Sequence, residues 1–473
     1  MTNKNYLAVD LGATSGRTIV ATYDGSKVEM RELTRFKNPM IPLGGHLFWD
    51  LPALYNEIVG ALKKVADEQI PIESVGIDTW GCDFAFFGAD GQLLGLPYCY
   101  RDPHTEGAID RYMKMHDKRA VYESTGIQFM EFNSIFHLDT LRHNGCTALE
   151  NADKILFIPD ALIYMLTGKA ICEYTVASTS QLLNPRTGDL DEELLRSIGL
   201  KRSQFGEMTQ PGTVIGPLTP QLQEATGLKD VNIIAIAAHD TASAVASVPA
   251  KDADFAYLSC GTWSLMGIES PVPIITDESF RQNFTNEGGI DGTTRFLKNI
   301  CGLWLLEQSR ICPEFKDAPK DIVALSALCE TTDFDSIINP DDPSFAHPAS
   351  MTKAIRDYCI KTGQSEPKTP AEYVRCIFLS LAHRYKAIIE ILESMSPVKI
   401  KCLHVIGGGS LNRYLMQYTA DAIGRPVICG PTEGTALGNV LLQIKAQGMV
   451  KTLPEMRKIV SCSTELKEYL PKQ

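Results

Sequence analysis

Residues 9–20 read VDLGATSGRTIV, and residues 258–269 read LSCGTWSLMGIE. Each stretch begins in an apolar strand, passes through a turn that contains Gly, Thr and Ser, and continues into a second strand. A turn of such small residues lets the oxygens of an anion approach backbone N–H groups, and Thr and Ser hydroxyls add further donors. One turn of this kind is a weak signal. Two at matching positions predict that each half of the chain carries a phosphate-binding hairpin, and that the two hairpins hold a nucleotide triphosphate.

The segments that flank the hairpins alternate between strand and helix patterns. The helix after the apolar run at 231–237 should begin at or near Asp240 and Thr241, which suit an N-cap. The polar stretch VPAKDAD, 248–254, is typical of a hinge. We therefore predict an α/β chain with two domains, 1–247 and 248–473. The predicted strands cover 6–10, 17–23, 28–36, 74–79, 231–237, 255–259, 265–269 and 403–406, and the predicted helices cover 51–66, much of 103–167 and a segment from 411 onward.

Size and composition narrow the class of protein. A chain of 473 residues is too long for one hydrophobic core. The net charge is −12 and Lys and Arg form no run, so nucleic acid is not an expected partner. The sequence contains no signal-peptide pattern and no apolar stretch of about 18 residues, so we expect a cytoplasmic protein without a membrane partner. The 13 cysteines include no C-x-x-C pair, which argues against a structural zinc site.

Carboxylates follow two of the predicted strands. Asp10 ends the first strand beside the first hairpin, where it can hold Mg²⁺ directly or through water. A side chain that caps its own turn is the alternative for Asp10. The stretch IDTWGCDF, 77–84, ends another strand with Trp80 and Gly81 among carboxylates, and an indole and a glycine there suit a polyol. A core position is the alternative for Trp80, and the residue alone favours it. Neither G-x-x-x-x-G-K-[ST] nor G-x-G-x-x-G occurs, so P-loop and Rossmann folds have no support.

His239 and Asp240 lie in AIAAHDTASAVAS, residues 235–247, directly after an apolar run. Almost every neighbour is small enough for a ligand to come close to the carboxylate. A carboxylate is ionised at neutral pH and can accept the proton of a bound hydroxyl during a reaction. The residues alone favour the alternative, a plain helix cap.

Several stretches spread over nearly the whole chain carry a family resemblance, and the longer ones are specific. They are VDLGATSGR (9–17), IDTWGCDF (77–84), GLPYCYRD (95–102), AAHDTASAV (237–245), AYLSCGTWSLMG (256–267), TNEGG (285–289), LKNICGLWLL (297–306) and VIGGG (405–409). In these stretches the chain resembles the FGGY family of carbohydrate kinases. The resemblance implies two actin-like (ribonuclease H-like) α/β domains with a central ligand cleft, the first binding sugar and the second binding nucleotide.

The resemblance also implies residue roles, with ATP and Mg²⁺ as cofactors. Asp240 matches the catalytic base of the family, and this match favours that role over a plain helix cap. One departure stands out, because Glu307 occupies a nucleotide-contact position where the family pattern has Gln. The sugar-binding positions are Gly81, His239, Asp240, Thr241 and Asn299, and the nucleotide-binding positions are Ala13, Thr14, Ser15, Gly16, Arg17, Thr262 and Gly408.

The activity implied by the resemblance is ATP-dependent phosphorylation of the 1-hydroxyl of a 6-deoxy-L-ketohexose, L-rhamnulose first. L-Fuculose is the alternative substrate, since the two sugars differ only in stereochemistry. A regulator that binds sugar and nucleotide without turnover is an interpretation from a different functional class. The presence of Asp10, Asp240 and both hairpins argues against it. An actin-like filament or chaperone ATPase would not need the IDTWG and HDTASA segments. We expect a monomer or a small homo-oligomer whose partners are a sugar and ATP.

Cys359 and Cys376 flank a turn, KTGQSEPKTP at 361–370, between two segments with helical patterns. Two helices joined by such a turn can bring residues near its ends together. The family resemblance implies cysteines at matching positions that can pair. A reducing cytoplasm opposes a lasting bond. We therefore predict adjacent thiols that pair in oxidised preparations and take no part in catalysis.

Overall fold

The computed structural model describes residues 3–346 and 348–472, which form two compact units. The first unit contains the described residues up to Ser247 together with Glu269–Phe296 and Gly434–Ser463. The second contains Val248–Ile268, Leu297–Glu433 and the described residues from Thr464 onward. These units differ from two continuous halves, because two later segments pack on strands and helices of the first unit. The division into domains 1–247 and 248–473 stays a prediction.

All eight predicted strands are present, with somewhat different ends. The first hairpin begins its second strand at Ser15, because residues of the predicted turn already pair with the following strand. The strands are β1 (Lys4–Leu11), β2 (Ser15–Tyr23), β3 (Val28–Lys37), β4 (Ile41–Leu43), β5 (His46–Phe48), β6 (Ile72–Thr79), β7 (Phe84–Phe87), β8 (Lys154–Phe157), β9 (Ile171–Glu173), β10 (Leu183–Asn184), β11 (Asp189–Leu190), β12 (Glu207–Thr209), β13 (Thr213–Pro217), β14 (Asn232–Ala235), β15 (Phe255–Cys260), β16 (Trp263–Ser270), β17 (Thr285–Gly288), β18 (Thr294–Cys301), β19 (Cys402–Ile406), β20 (Val427–Cys429) and β21 (Lys467–Tyr469).

The helices follow the apolar periodicity of the sequence, although strand β8 interrupts the helical stretch predicted within 103–167. They are α1 (Leu51–Asp67), α2 (Ala108–Met113), α3 (Lys118–Thr125), α4 (Ser134–His143), α5 (Thr147–Glu150), α6 (Ile158–Thr167), α7 (Tyr174–Ser178), α8 (Glu192–Ser197), α9 (Pro220–Thr226), α10 (Asp240–Ala246), α11 (Asp277–Arg281), α12 (Trp304–Arg310), α13 (Ile322–Ala327), α14 (Met351–Lys361), α15 (Pro370–Met395), α16 (Arg413–Ile423), α17 (Gly434–Ala446) and α18 (Leu453–Ser463). No helix in the described part of the chain combines the length and the apolarity that a membrane span requires.

Two sheets repeat one layout, as the internal repeat in the sequence predicts. The six-stranded sheet has the order β13-β14-β6-β1-β2-β3, in which β14, β6 and β1 run parallel and β2, β3 and β13 run antiparallel to their neighbours. The seven-stranded sheet has the order β17-β18-β16-β15-β19-β20-β21, in which β15, β19 and β20 run parallel. In both sheets the hairpin comes first in sequence and the parallel strands follow.

Helix α17 closes one face of the six-stranded sheet and carries polar side chains into its core. A Cβ at Gly438 would lie 1.8 Å from the carbonyl oxygen of Ser243, so α17 and α10 pack backbone to backbone. This close approach lets two buried amides reach the strands. Asn439 Nδ2 donates to Asp78 Oδ2 at 2.6 Å, and Gln443 Nε2 donates to the carbonyl oxygen of Leu7 at 3.1 Å. Helix α17 therefore helps to position a carboxylate at the end of β6.

Candidate active site

Three parallel strands of the first unit end near carboxylates. Asp10 on β1 lies in register with Asp78 on β6. Asp240 follows β14, whose continuation bridges to β6 between His239 and Thr79. The carboxyl ends of parallel strands meet at one sheet edge, so the three carboxylates lie together there. Burial, and after it the charge of Asp10, raises the pKa of Asp78 well above its ordinary value. The sequence indicated roles for Asp10 and Asp240 but none for Asp78.

The pair Asp10 and Asp78 suits a divalent cation. Asp78 Oδ1 is buried and has no hydrogen-bond partner among the described residues. A buried carboxylate oxygen without a donor, beside a second carboxylate, is an arrangement that positive charge stabilises. Within residues 3–346 and 348–472, no group of three or more His, Cys, Asp or Glu side chains is arranged to hold a metal. Mg²⁺ usually takes one or two carboxylates and completes its shell with water and phosphate oxygens, so the pair fits Mg²⁺ that binds with a nucleotide.

The first hairpin has the backbone of an anion-binding turn, and its arginine contacts Asp10. Gly12 N donates to the carbonyl oxygen of Ser15 at 2.9 Å and closes the turn. Arg17 Nη2 and Nε donate to Asp10 Oδ2 at 2.7 and 2.9 Å. A Cβ at Gly16 would lie 2.3 Å from the ring of Phe36, so this position has room only for glycine. The ion pair gives Arg17 a partner that the sequence did not predict, since its predicted role was in the ATP-binding loop.

Asp240 is the most accessible of the three carboxylates. Its side chain is 35% exposed, against 13% for Asp10, and Asp78 is fully buried. Asp240 is the first residue of α10, and His239 is its N-cap, as the helix start predicted from the sequence requires. Thr241 Oγ1 donates to Asp240 Oδ1 at 3.1 Å. Burial raises the pKa of Asp240 above its ordinary value, although the adjacent His239 lowers it. A reachable carboxylate with a raised pKa suits a general base.

A buried ion pair, Arg295 and Glu287, lies beside Nδ1 of the His239 ring. Arg295 Nη2 lies 3.1 Å from His239 Nδ1 and 3.1 Å from Glu287 Oε2. Arg295 Nε donates to the carbonyl oxygen of Gly288 at 2.9 Å. Arg295 is 1% exposed and Glu287 is 5% exposed. The TNEGG stretch that contains Glu287 belongs to the family resemblance but indicated no role for this residue, and nothing in the sequence indicated Arg295.

The segment Glu173–Thr179, sequence EYTVAST, connects three turns of the site and was also missed. Ala238 N donates to Glu173 Oε2 at 3.2 Å, and His239 N donates to Thr175 Oγ1 at 3.2 Å. The remaining contacts reach the other two turns: Gly288 N donates to Ser178 Oγ at 2.7 Å, and Cys82 N donates to Thr179 Oγ1 at 3.0 Å. Burial raises the pKa of Glu173 to about 7. The only signal in the sequence was a run of small polar residues between apolar segments.

Trp80 belongs to the core rather than to an open sugar-binding wall. The residue is 6% exposed, and its ring centroid lies 4.3 Å from that of Trp49. Both indole N–H groups donate to Asp83 Oδ2, at 2.9 Å from Trp80 and 2.6 Å from Trp49. Burial raises the pKa of Asp83 to about 7. Gly81 follows directly, and a Cβ there would lie 2.8 Å from Thr179 Oγ1.

In the second unit, the predicted nucleotide positions lie on neighbouring turns. Thr262 lies in the turn between β15 and β16, and its carbonyl oxygen accepts from Gly302 N at 3.2 Å and Trp304 N at 3.1 Å. A Cβ at Gly409 would lie 2.3 Å from Cys260 Sγ, so the GGG turn packs against this hairpin. A Cβ at Gly408 would meet nothing within 4 Å, so the surface above it is open.

Two further residues of the second unit bear on ligand binding. Asn299 is a half-buried residue on β18. Glu307 on α12 forms an ion pair with Arg310, with Glu307 Oε1 and Arg310 Nη1 3.3 Å apart. Both of these charged residues line a cavity of about 280 Å³ with Phe315 and Leu325. No nucleotide-binding role is assigned to Glu307.

The structure therefore distributes the predicted site residues over the two units. The first unit contains Asp10, Ala13, Thr14, Ser15, Gly16, Arg17, Gly81, His239, Asp240 and Thr241, and the second contains Thr262, Asn299 and Gly408. Their individual roles stay predictions.

The chain belongs to the FGGY family of carbohydrate kinases. It matches the N-terminal domain of this family over residues 5–247 and the C-terminal domain over residues 256–447. The chain is therefore a carbohydrate kinase, as the family resemblance implied. The alternative interpretations, a regulator or a filament ATPase, gain no support.

Several relatives match over almost the whole chain. A rhamnulokinase of Bacteroides thetaiotaomicron is 53% identical over 468 residues, which cover 99% of this chain and 96% of the relative. A rhamnulokinase of Pectobacterium carotovorum is 42% identical over 478 residues, which cover 100% of this chain and 94% of the relative.

Solved structures of sugar kinases share the fold. A ligand-bound xylulose kinase from Lactobacillus acidophilus superposes with a TM-score of 0.85 at 18% identity, covering 99% of this chain and 94% of that one. A glycerol kinase from Plasmodium falciparum with ADP superposes with a TM-score of 0.79 at 17% identity, covering 99% and 94%. The predicted actin-like (ribonuclease H-like) α/β fold class is thereby confirmed.

Proposed function

We propose that this enzyme transfers the γ-phosphoryl group of ATP to the 1-hydroxyl of L-rhamnulose and forms L-rhamnulose 1-phosphate. The observation that carries the proposal is the 53% identity over 99% of the chain with a rhamnulokinase. The site agrees with such a reaction, because it offers an accessible carboxylate for the sugar hydroxyl and a backbone turn for phosphate. Nothing favours L-fuculose or a non-catalytic role.

Asp240 is the base in this proposal. Its partly exposed carboxylate accepts the proton of the sugar hydroxyl while the bond from oxygen to phosphorus forms. The raised pKa of Asp240 makes it a stronger acceptor than an ordinary aspartate. Gly81, His239, Thr241 and Asn299 bind the sugar in the predicted assignment.

Backbone and hydroxyl donors bind the nucleotide in this proposal. They lie in the turn Ala13–Arg17 and at Thr262 and Gly408. Asp10, directly or through water, would hold Mg²⁺, with Asp78 beside it. When bound, this ion neutralises charge on the phosphate oxygens. Phosphoryl transfer needs little covalent participation by the protein, so positioning and electrostatic stabilisation supply most of the catalysis.

An assay that couples ADP release to NADH oxidation tests the substrate. L-Rhamnulose, L-fuculose, L-ribulose, L-xylulose and glycerol are compared at equal concentrations of MgATP. We expect the highest kcat/KM for L-rhamnulose, and ¹³C–³¹P coupling in the product should place the phosphate on carbon 1. A higher kcat/KM for any of the other four acceptors would overturn the assignment.

Three further expectations belong to the proposal. The enzyme acts in the cytoplasm, requires Mg²⁺, and works as a monomer or small homo-oligomer. Titration of the assay with EDTA and then Mg²⁺ tests the metal requirement, and light scattering during gel filtration measures the oligomeric state.

A further inference from the structure

The environment of His239 determines which of its ring nitrogens carries a proton. A neutral imidazole has one N–H donor and one bare acceptor nitrogen, and the protonated ring has two donors. The hydrogen-bond partner on one nitrogen therefore decides the state of the other. His239 is 8% exposed, so protein groups rather than bulk water supply the partners of Nδ1.

Two charged groups of the protein face Nδ1. Arg295 Nη2 lies 3.1 Å away in hydrogen-bonding geometry. Glu287 Oε2 lies 3.4 Å away, and this oxygen has no hydrogen-bond partner among the described residues. A guanidinium is only a donor and keeps its proton in proteins. Nδ1 therefore accepts from Arg295, because this contact is the shorter of the two and has hydrogen-bonding geometry, whereas Glu287 Oε2 forms no hydrogen bond with Nδ1.

The carboxylate of Glu287 makes this arrangement possible. An unpaired guanidinium that is 1% exposed would be strongly destabilising, and Glu287 lies 3.1 Å from it. Burial alone would raise the pKa of Glu287, but the net pKa is lowered, with the charge of Arg295 as the largest lowering cause. Glu287 therefore stays ionised and balances the charge of Arg295. The guanidinium is also fixed by its bond from Nε to the carbonyl oxygen of Gly288, at 2.9 Å.

We propose that Arg295, held by Glu287, fixes His239 as the neutral tautomer protonated on Nε2, so that the ring donates a hydrogen bond toward the sugar. His239 Nε2 lies 3.5 Å from Asp240 Oδ1, so a sugar oxygen that accepts from Nε2–H lies beside the base. The two side chains then have different roles: Asp240 accepts the proton of the sugar hydroxyl, and His239 donates a hydrogen bond to the sugar. This inference deepens the proposed function and rests on it for the identity of the sugar.

Arg295 and Glu287 are positioning residues in this proposal, since they act through His239. Loss of the donor at Nδ1 should allow both neutral tautomers, and one of them presents a bare nitrogen to the sugar. We expect the KM for L-rhamnulose to rise about tenfold in Arg295→Met, the effect of one hydrogen bond of average strength, with a smaller change in kcat. Arg295→Lys keeps a cationic donor and should recover part of the affinity.

The deciding experiment is NMR on the full chain labelled with ¹³C,¹⁵N-histidine, without ligands, at pH 7.5. Subtraction of the spectrum of His239→Gln identifies one signal set among the nine histidines. The expected result is a protonated Nε2 and a bare Nδ1. A proton on Nδ1, or on both nitrogens, would overturn the proposal.

Variants add a readout that lost stability would not produce. Arg295→Met should give a mixture of the two neutral tautomers of His239. Glu287→Gln should shift the same His239 signals, and it replaces Arg295→Met in the experiment if that variant does not fold. Arg457→Met is the matched control, because Arg457 and Glu269 form another ion pair with side chains only 10% exposed, in the same unit. An unchanged His239 spectrum in folded Arg295→Met or in Glu287→Gln would also overturn the proposal. A failure of L-rhamnulose in the ADP-release assay would refute the substrate and leave the tautomer result standing.

Discussion

The carboxylate of Asp240 differs from its two neighbours in what surrounds it. Asp10 is neutralised by Arg17, and Asp78 is buried against the amide of Asn439. Asp240 keeps a partly exposed side chain and accepts only a hydroxyl from Thr241 among the bonds described above. One sheet edge therefore contains three aspartates in three environments, and only one of them is open to a substrate hydroxyl.

Substitution of Asp240, the proposed base, should affect turnover and spare nucleotide binding. We expect Asp240→Asn to lower kcat by about 10²–10⁴-fold, because an amide cannot accept the hydroxyl proton. The affinity for MgATP, measured by calorimetry, should stay roughly unchanged. Asp230→Asn makes the same chemical change at an exposed position and serves as the control. Turnover above about a third of wild type would contradict the role of Asp240.

At the scale of elements, the site depends on short segments that join distant parts of the chain. Helix α7 has five residues, yet the segment around it contacts the turns at Cys82, His239 and Gly288. Its stability comes from these contacts, since so short a helix is not stable in isolation. Helices α14 and α15 show the same dependence on a turn, because the loop between them brings Cys359 and Cys376 together.

The structure agrees with the predicted adjacency, since both thiols are buried and each is the largest cause of the other's shift: the pKa of Cys359 is lowered and the pKa of Cys376 is raised. Their pairing stays a prediction. Mild oxidation should link them. A non-reduced tryptic digest should then contain DYCIK (357–361) joined to CIFLSLAHR (376–384). Closure of this 17-residue separation should stabilise the chain by about 3 kcal/mol if the bond is unstrained.

Urea unfolding of the oxidised and reduced proteins measures that stabilisation. Cys359→Ser is the control and should show neither the linked peptide nor the stability difference. Kinase activity should be the same in both redox states, because neither thiol belongs to the candidate site. Absence of the linked peptide after oxidation would show that the pair does not form a disulfide.

At the scale of the whole molecule, buried ionisable groups make stability depend on pH in opposite directions. Burial lowers the pKa of His137 to about 3, so below pH 6.5 the unfolded chain binds a proton that the folded chain does not. This group removes stability as the pH falls. The raised pKa of Asp83, about 7, acts the other way, because the folded state retains a proton that the unfolded state releases above its ordinary value of 3.8.

His137→Gln should remove the first of these effects. Between pH 7.5 and pH 5, wild type should lose about 2 kcal/mol of unfolding free energy relative to the variant. Urea unfolding at the two pH values measures this difference, and His143→Gln, at an exposed histidine, is the matched control for loss of an imidazole. A difference between wild type and His137→Gln that does not change with pH would contradict the neutral state of His137.

The sequence by itself determined the features that depend on local pattern. Apolar runs ending in small-residue turns predicted β1, β2, β15 and β16, and their repetition predicted two sheets of one layout. Small residues around Asp240 indicated a ligand site, because steric access can be read from neighbours in the chain.

Only the tertiary structure decided which side chains contact that site. Arg295 lies 56 residues from His239, Glu173 lies 65 residues from Ala238, and Asn439 lies 361 residues from Asp78. No periodicity or spacing connects such residues, since hydrogen bonds and ion pairs depend on distance in space. The same reason explains why Glu269–Phe296 and Gly434–Ser463 pack with the first unit. Burial and hydrogen-bond partners are decided where segments distant in sequence pack together, and local sequence patterns do not specify which segments pack.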